Sequence, residues 1–237
     1  LLKHYRKSYL KFIIIKLILK NSNKIVFTTD FQKNIFQKYY KISEKNIIVI
    51  ENPIFIKNQY IEELSLMKNR NIVFAGRMKN KNNLERLINI FLEINNTDYN
   101  LLLIGDGPIK DKLRNIIQNK QNIKIYDGVL GDDLSNNYFK NARAIILPSY
   151  TDISPNTALE CISMGIPFIM TKEHGFNWMK DYVLEFDPTN NTEIKNSINK
   201  IMDDEFYKEY IRKIRNIDCK YNLQKFLEKN LRLFNNL

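Results

Sequence analysis

Cysteine is scarce: of 237 residues only Cys161 and Cys219 are cysteines. They lie far apart and at no redox or metal-ligand spacing, so free buried thiols in reducing surroundings are expected and a disulfide framework is not. Histidine is equally sparse. His4 and His174 have no partner at ligand spacing, so no metal is expected. His174, just before Gly175, reads as a surface side chain. With 7 Gly and 6 Pro there are no low-complexity linkers. No serine elbow, His-centred triad or internal repeat can be assembled. Long apolar runs are absent too: Leu10–Leu19 is too short to cross a bilayer, is interrupted by Lys11 and Lys16, and has no cleavage signature. A cytoplasmic protein is expected, with this run packed on its own domain or, alternatively, lying as a basic helix on the cytoplasmic face of a membrane.

What is present is positive charge and apolar residues. Against 26 acids stand 37 bases, giving a formal charge of +11 and a pI near 9.4, which favours anionic partners such as phosphates or an anionic membrane face. The lysines are scattered, and no basic repeat or stacking motif accompanies them, so nucleic acid is not an expected partner. Hydrophobic residues at 44% suffice for one sizeable core or two small ones.

From Lys24 the chain reads as strand (Ile25, Val26, Phe27), helix to about Tyr40, and strand 46–50, closed by Pro53. A domain boundary is expected between residues 51 and 70. Beyond it the predicted order is strand 72–75, helix 82–96, strand 100–104, helix 108–119, strand 122–126 and helix 134–140. Strand 143–147, helix 155–164, strands 166–170 and 182–186, and helices over most of 191–236 follow. Short continuous apolar strands separated by helices predict a doubly wound parallel α/β sheet buried on both faces, with ligands beyond the carboxyl ends of the strands. The predicted division is 1–55, 56–205 carrying the main sheet, and 206–237 as closing helices.

Three segments can carry chemistry. In residues 148–169 a buried strand ends, a loop carries Asp152, and Ser154 as N-cap with Pro155 at the first helical position opens a helix. The amides of Asn156 and Thr157 would then lie at a positive helix end that favours a diphosphate. Glu160 shares the face of Asn156 and is suited to accept hydroxyl hydrogen bonds from a ribose diol. Singly, each residue is also compatible with an ordinary capped helix. In residues 71–91 a strand ends at Gly76, followed by Arg77, able to form a bidentate clamp, and Lys81, a point charge, with Lys79 a further candidate. Taken alone, this basic loop also reads as solvated. In residues 101–113 a strand runs into Gly105 and Gly107, half of a dinucleotide fingerprint and also what any strand-to-helix turn needs.

Asp152, seven intervening residues and Glu160, within a frame of Pro148, Ser149, Gly165 and Pro167, resemble the hallmark of the family 4 retaining glycosyltransferases of the GT-B class. The family usually has Glu and a glycine-rich turn where this sequence has Asp152, Ile153, Ser154 and Pro155, which implies either an altered contact to the donor sugar or an unusual sugar. The resemblance runs from about Lys24 to Asn190 and implies that 1–55 are the remnant of an N-terminal acceptor domain with its linker, 56–205 a nucleotide-sugar-binding domain, and 206–237 helices packing back towards the first domain. It implies a hexosyltransferase-like enzyme that moves a sugar from a nucleotide diphosphate to an acceptor hydroxyl with retention of configuration, in glycan, glycolipid or polysaccharide synthesis.

On that resemblance Arg77, Lys81 and Asp152 are catalytic. Gly76, Gly105, Gly107, Gly128, Ser154, Asn156, Thr157 and Glu160 bind the donor, with Gly128 near the base and His174 on the donor-sugar side. The partners are a nucleotide sugar and a glycan or lipid-linked acceptor; no cofactor and no metal are implied. A complete enzyme of the class has two domains, and the sequence has room for only the tail of the first. The alternative is a non-catalytic nucleotide-sugar-binding or scaffold module that needs a partner chain.

Overall fold

A computed structural model describes residues 9–54, 61–118, 120–129, 131–217 and 223–235. His4 and Cys219 lie outside the described residues. The chain forms two compact units, Leu1–Pro53 with Tyr221–Leu237, and Ile54–Lys220.

In the first unit, helix α1 (Tyr9–Asn21) precedes strand β1 (Ile25–Phe27), helix α2 (Asp30–Tyr40) and strand β2 (Ile47–Val49). β1 and β2 are parallel, with Ile25 opposite Ile47. The Thr29 side chain accepts from the Gln32 amide and starts α2, and Lys41 in the left-handed region ends it. Phe12 of α1 stacks on Tyr40 at 5.1 Å, but no residue of α1 is buried. Its packing on its own unit, expected from the sequence, is therefore one-sided: Leu10, Ile14, Leu17 and Ile18 are exposed. Among the described residues, no helix is long and apolar enough to cross a membrane.

The second unit contains helix α3 (Glu63–Lys68), β3 (Asn71–Ala75), α4 (Leu84–Ile94), β4 (Asn100–Ile104), α5 (Lys110–Ile116) and β5 (Ile123–Tyr126). It continues with α6 (Gly131–Leu134), which runs into a π-helical turn over Ser135–Phe139. Then follow β6 (Ala142–Leu147), α7 (Asn156–Met164), β7 (Phe168–Thr171), β8 (Leu184–Phe186), α8 (Asn191–Met202) and α9 (Asp204–Arg215). Six strands form one sheet in the order β5-β4-β3-β6-β7-β8, with every pairing parallel. The doubly wound sheet expected from the apolar strands is thus what the chain builds. The chain winds outward from β3 to β5 and then returns to β6 beside β3, so the switch in strand order falls between β3 and β6, where such sheets open a crevice at their carboxyl ends.

The core explains the order. All six residues of β6 are buried, as are four of the five in β3 and in β4, because helices cover both faces. Even Arg143 in β6 is fully buried. Its guanidinium donates to the carbonyls of Ile201 and Met67 at 2.9 Å each, pairs with Asp204 at 2.6 Å and lies 3.7 Å from the centre of the Tyr207 ring. Every direction of its charge is met, which a buried guanidinium requires. This network ties α3, α8 and α9 to the amino end of β6. α9 accordingly belongs to the sheet-bearing unit, which extends past residue 205 to Lys220.

Candidate active site

Two loops meet at the carboxyl ends of β3 and β6. After β3 come Gly76, the exposed Arg77, then Met78, Lys79 and a 3₁₀ turn over Asn80–Asn82 that carries the exposed Lys81. After β6 come Pro148, Ser149 and Tyr150. The Tyr150 amide donates to the Lys81 carbonyl at 2.9 Å, and Asn82 Nδ2 donates to Ser149 Oγ at 3.1 Å. Residues far apart in the chain thus form one rim. Arg77, Lys79 and Lys81 make no ion pair among the described residues, so the rim presents positive charge.

Asp152 lies in the same loop system. Its amide donates to the Glu173 carbonyl at 3.0 Å, and its backbone bridges that of His174, which ties the loop after β6 to the loop after β7. Burial pushes the Asp152 carboxyl above the usual carboxylate range; the nearby Lys81 charge and the Ser154 amide, which donates to it, pull it back. The Lys81 charge therefore acts on Asp152 from the neighbouring loop. The Ser154 amide closes a tight turn on Asp152, and this shifts the helix start by one residue relative to the sequence reading. Pro155, not Ser154, occupies the N-cap position, and Asn156 and Thr157 open α7. Glu160 is exposed in the second turn of α7, whose amino end adjoins the β6 carboxyl end. The charge of Glu160, after burial itself, raises the buried Cys161 thiol.

His174 departs from the sequence reading. It is 2% exposed, not a surface residue: its Nδ1 accepts from the Phe176 amide at 3.1 Å, and its Nε2 lies 2.6 Å from Glu185 Oε1. The reason is local and tertiary at once, since the backbone bridge to Asp152 pulls the loop inward and β8 supplies the carboxylate. His174 thus buttresses the Asp152 loop.

The remaining predicted residues are the glycines on the turns after β3, β4 and β5. Gly76 donates its amide to the Ile104 carbonyl at 3.0 Å, and Gly105 donates to Tyr126 at 3.2 Å, so the turns after β3, β4 and β5 are stacked edge to edge. A side chain at Gly105 would place its Cβ 1.9 Å from the Gly76 carbonyl oxygen, and one at Gly107 2.3 Å from that of Met78. Here glycine is required by the close approach of two backbones as well as by positive φ. Gly128 follows β5 and donates to Asp106 Oδ2 at 2.9 Å. Sequence reading passed over Asp106, Lys110 and Asp127, which form an ion-paired cluster on these turns. The four-residue spacing of Asp106 and Lys110 was the available signal.

The chain is similar to known proteins. A Haemophilus influenzae protein named "Uncharacterized glycosyltransferase" is 26% identical over 65% of this chain and 43% of its own length. The "Amylovoran biosynthesis glycosyltransferase AmsD" of Erwinia amylovora is 22% identical over 62% of this chain and 43% of its own. The chain thus spans less than half the length of these relatives. The structure of Anabaena HepE in complex with UDP-glucose superposes with a TM-score of 0.82 at 13% identity, over 97% of this chain and 68% of that one, which is a likeness of fold. Residues 69–204, from just before β3 into α9 and more than half of the sequence, match the family described as Glycosyl transferases group 1, and the chain belongs to that family.

Proposed function

We propose that this chain binds a nucleotide-diphosphate sugar in the crevice at the β3 and β6 carboxyl ends and is the donor half of a hexosyltransferase-like enzyme acting with retention of configuration. The observation that carries this reading is that the loops after β3 and β6 are bonded to each other through the Tyr150 amide and the Lys81 carbonyl, with the Lys81 charge acting on the partly buried Asp152 carboxyl. Arg77, at the end of β3, adds a second cation to the same rim.

The chemistry follows from charge. As the bond from the anomeric carbon to the phosphate oxygen breaks, the departing diphosphate gains negative charge, and fixed cations placed there lower the barrier. Arg77 and Lys81 supply them, and with these counter-charges the reaction does not call on a divalent ion. The first turn of α7, with Asn156 and Thr157, adds a positive helix end. Asp152 and Glu160 accept hydrogen bonds from hydroxyls of the donor. A phosphate oxygen of the leaving group takes the proton of the acceptor hydroxyl as the new carbon–oxygen bond forms on the same face, which gives retention. The acceptor is a glycan or lipid-linked hydroxyl. HepE was solved with UDP-glucose, which supports a nucleotide sugar as donor, and AmsD is named for amylovoran biosynthesis, which supports a glycan product.

Titration calorimetry with UDP, GDP and ADP tests the site. Arg77→Ala and Glu160→Ala should each weaken the best-bound nucleotide by about 1 to 3 kcal/mol, the cost of losing a charged hydrogen bond. Unchanged affinity in both variants would overturn the assignment. Release of nucleotide from UDP-glucose by the chain distinguishes transfer chemistry from a module that only binds.

A further inference from the structure

The first unit holds nearly all of the net charge of the chain. Leu1–Pro53 and Tyr221–Leu237 together contain 14 bases against 4 acids, whereas Ile54–Lys220 contains 23 against 22. The scattered bases therefore cancel over the sheet-bearing unit and accumulate on the smaller one. Helix α1 concentrates the excess, since its sequence YLKFIIIKLILKN has three lysines and no acid. At 3.6 residues per turn its apolar side chains fall on two opposite faces. Phe12, Ile15 and Leu19 are half-buried, with Phe12 on Tyr40, and make the inner face. Leu10, Ile13, Ile14, Leu17 and Ile18 make the outer one, and all five are exposed, Leu10 at 67% and Ile18 at 60%.

On the same helical spacing Lys11 lies along one border of the outer stripe, and Lys16 and Lys20 along the other. An apolar face edged by cations on both sides suits a helix lying in the plane of a bilayer surface, where the apolar side chains enter the acyl boundary and the ammonium groups stay at the level of the lipid phosphates. Thirteen residues are too few to cross. The helix Leu223–Asn235 of the same unit adds a second exposed stripe, with Leu223, Leu227, Leu231 and Phe234 on one face. Contiguous exposed apolar surface marks an interaction site. A protein covering the α1 stripe would have to supply acids along both of its borders. An anionic bilayer offers apolar depth and negative charge together, whereas nucleic acid offers the charge without the depth.

We propose that the first unit docks on an anionic lipid surface through the outer face of α1, with Lys11, Lys16 and Lys20 set against the lipid headgroups. The docking needs no nucleotide and stands apart from the crevice of the second unit. Of the acceptor classes named above, the lipid-linked hydroxyl is the one confined to such a surface, and that choice rests on the transfer reading.

Flotation of the full chain with lipid vesicles tests the docking. The chain should rise with vesicles of phosphatidylcholine mixed with phosphatidylglycerol, stay behind with phosphatidylcholine alone, and bind more weakly as salt is raised. Ile14→Glu combined with Leu17→Glu places charge on the outer face and leaves the Tyr40 side untouched. It should lower vesicle affinity by about tenfold or more. Lys16→Gln and Lys20→Gln should each lower it about fivefold. Calorimetry without vesicles should give unchanged nucleotide affinity in every variant. If the double variant does not unfold cooperatively, the two lysine variants carry the test. Failure to bind the mixed vesicles, equal binding to both kinds, or binding indifferent to these substitutions overturns the docking and leaves the nucleotide site standing. Concentration-dependent association of the chain in vesicle-free solution, abolished by the double substitution, overturns it as well by assigning the face to a second copy. A chain that docks but binds no nucleotide keeps the lipid surface and overturns the choice of acceptor.

Discussion

At Asp152, burial and chemistry pull in opposite directions. Burial raises the pKa of this carboxyl in the folded chain, and Lys81 and the Ser154 amide only partly offset it. The folded state therefore binds protons more tightly than the unfolded state, so stability contributed by this group is present at low pH and is lost as pH rises from the ordinary carboxylate value through the raised one. Asp152→Asn keeps an acceptor for the Ser154 amide and removes the titration. Its melting temperature should exceed that of the unsubstituted chain at pH 7, and the two should converge below about pH 3, where both side chains are neutral. Nucleotide-sugar binding should weaken in the same variant. Thermal scans across pH would refute this if the substitution were destabilising at neutral pH. Asp152 and Glu160 could be found in the sequence because their spacing lies on one loop and helix. The burial of His174 could not, since its partner Glu185 is supplied by a separate strand. Arg143 is a stronger case: in sequence it is a charge at the start of a strand, and its partners Met67, Ile201, Asp204 and Tyr207 come from three other helices.

Among elements, the strands were legible because a sheet covered on both faces demands uninterrupted apolar residues, as in Ile72–Ala75 and Leu101–Ile104. Their edges were set by other forces. The strand expected from residue 166 begins at Phe168: Gly165 ends α7 in the left-handed region, the Ile166 amide still bonds to the Cys161 carbonyl, and Pro167 has no donor to give. The helix expected at 134–140 starts earlier, at Gly131, and widens into a π turn, a change of winding that has no sequence period. The stacked glycine turns show the limit most clearly. Gly105 and Gly107 signal a turn, but not that the turn rests on the backbone after β3. Gly105→Ala should cost about 2 to 4 kcal/mol, because a Cβ 1.9 Å from a carbonyl oxygen forces backbone to move. Gly131→Ala, at φ +61 with nothing within 4 Å of the added carbon, should cost only about 1 kcal/mol. Chemical denaturation of the two variants side by side checks the contrast; equal losses would mean that the close approach of the turns does not govern stability.

For the whole molecule, the division of the core decides what can stand alone. The contiguous cluster of buried apolar residues runs from Ile54 to Ile217 and lies within the sheet-bearing unit. The first unit buries few side chains, Ile25, Phe27, Tyr40 and Ile50 among them, and its helices α1 and Leu223–Asn235 leave Leu10, Leu17, Leu227 and Leu231 exposed. A core of the larger size suffices for independent folding, whereas a handful of buried side chains does not offset the entropy of ordering their segment. The Lys81 and Asp152 loops and the ion-paired Asp106, Lys110 and Asp127 on the stacked turns belong to the larger unit as well. The fragment Ile54–Lys220 should therefore unfold cooperatively and bind the preferred nucleoside diphosphate within about threefold of the full chain, a difference below 1 kcal/mol. Thermal unfolding and calorimetry on the excised unit provide the check. A fragment that folds but has lost nucleotide binding would mean that residues of the first unit take part in holding the donor, and the site would have to be redrawn to include them.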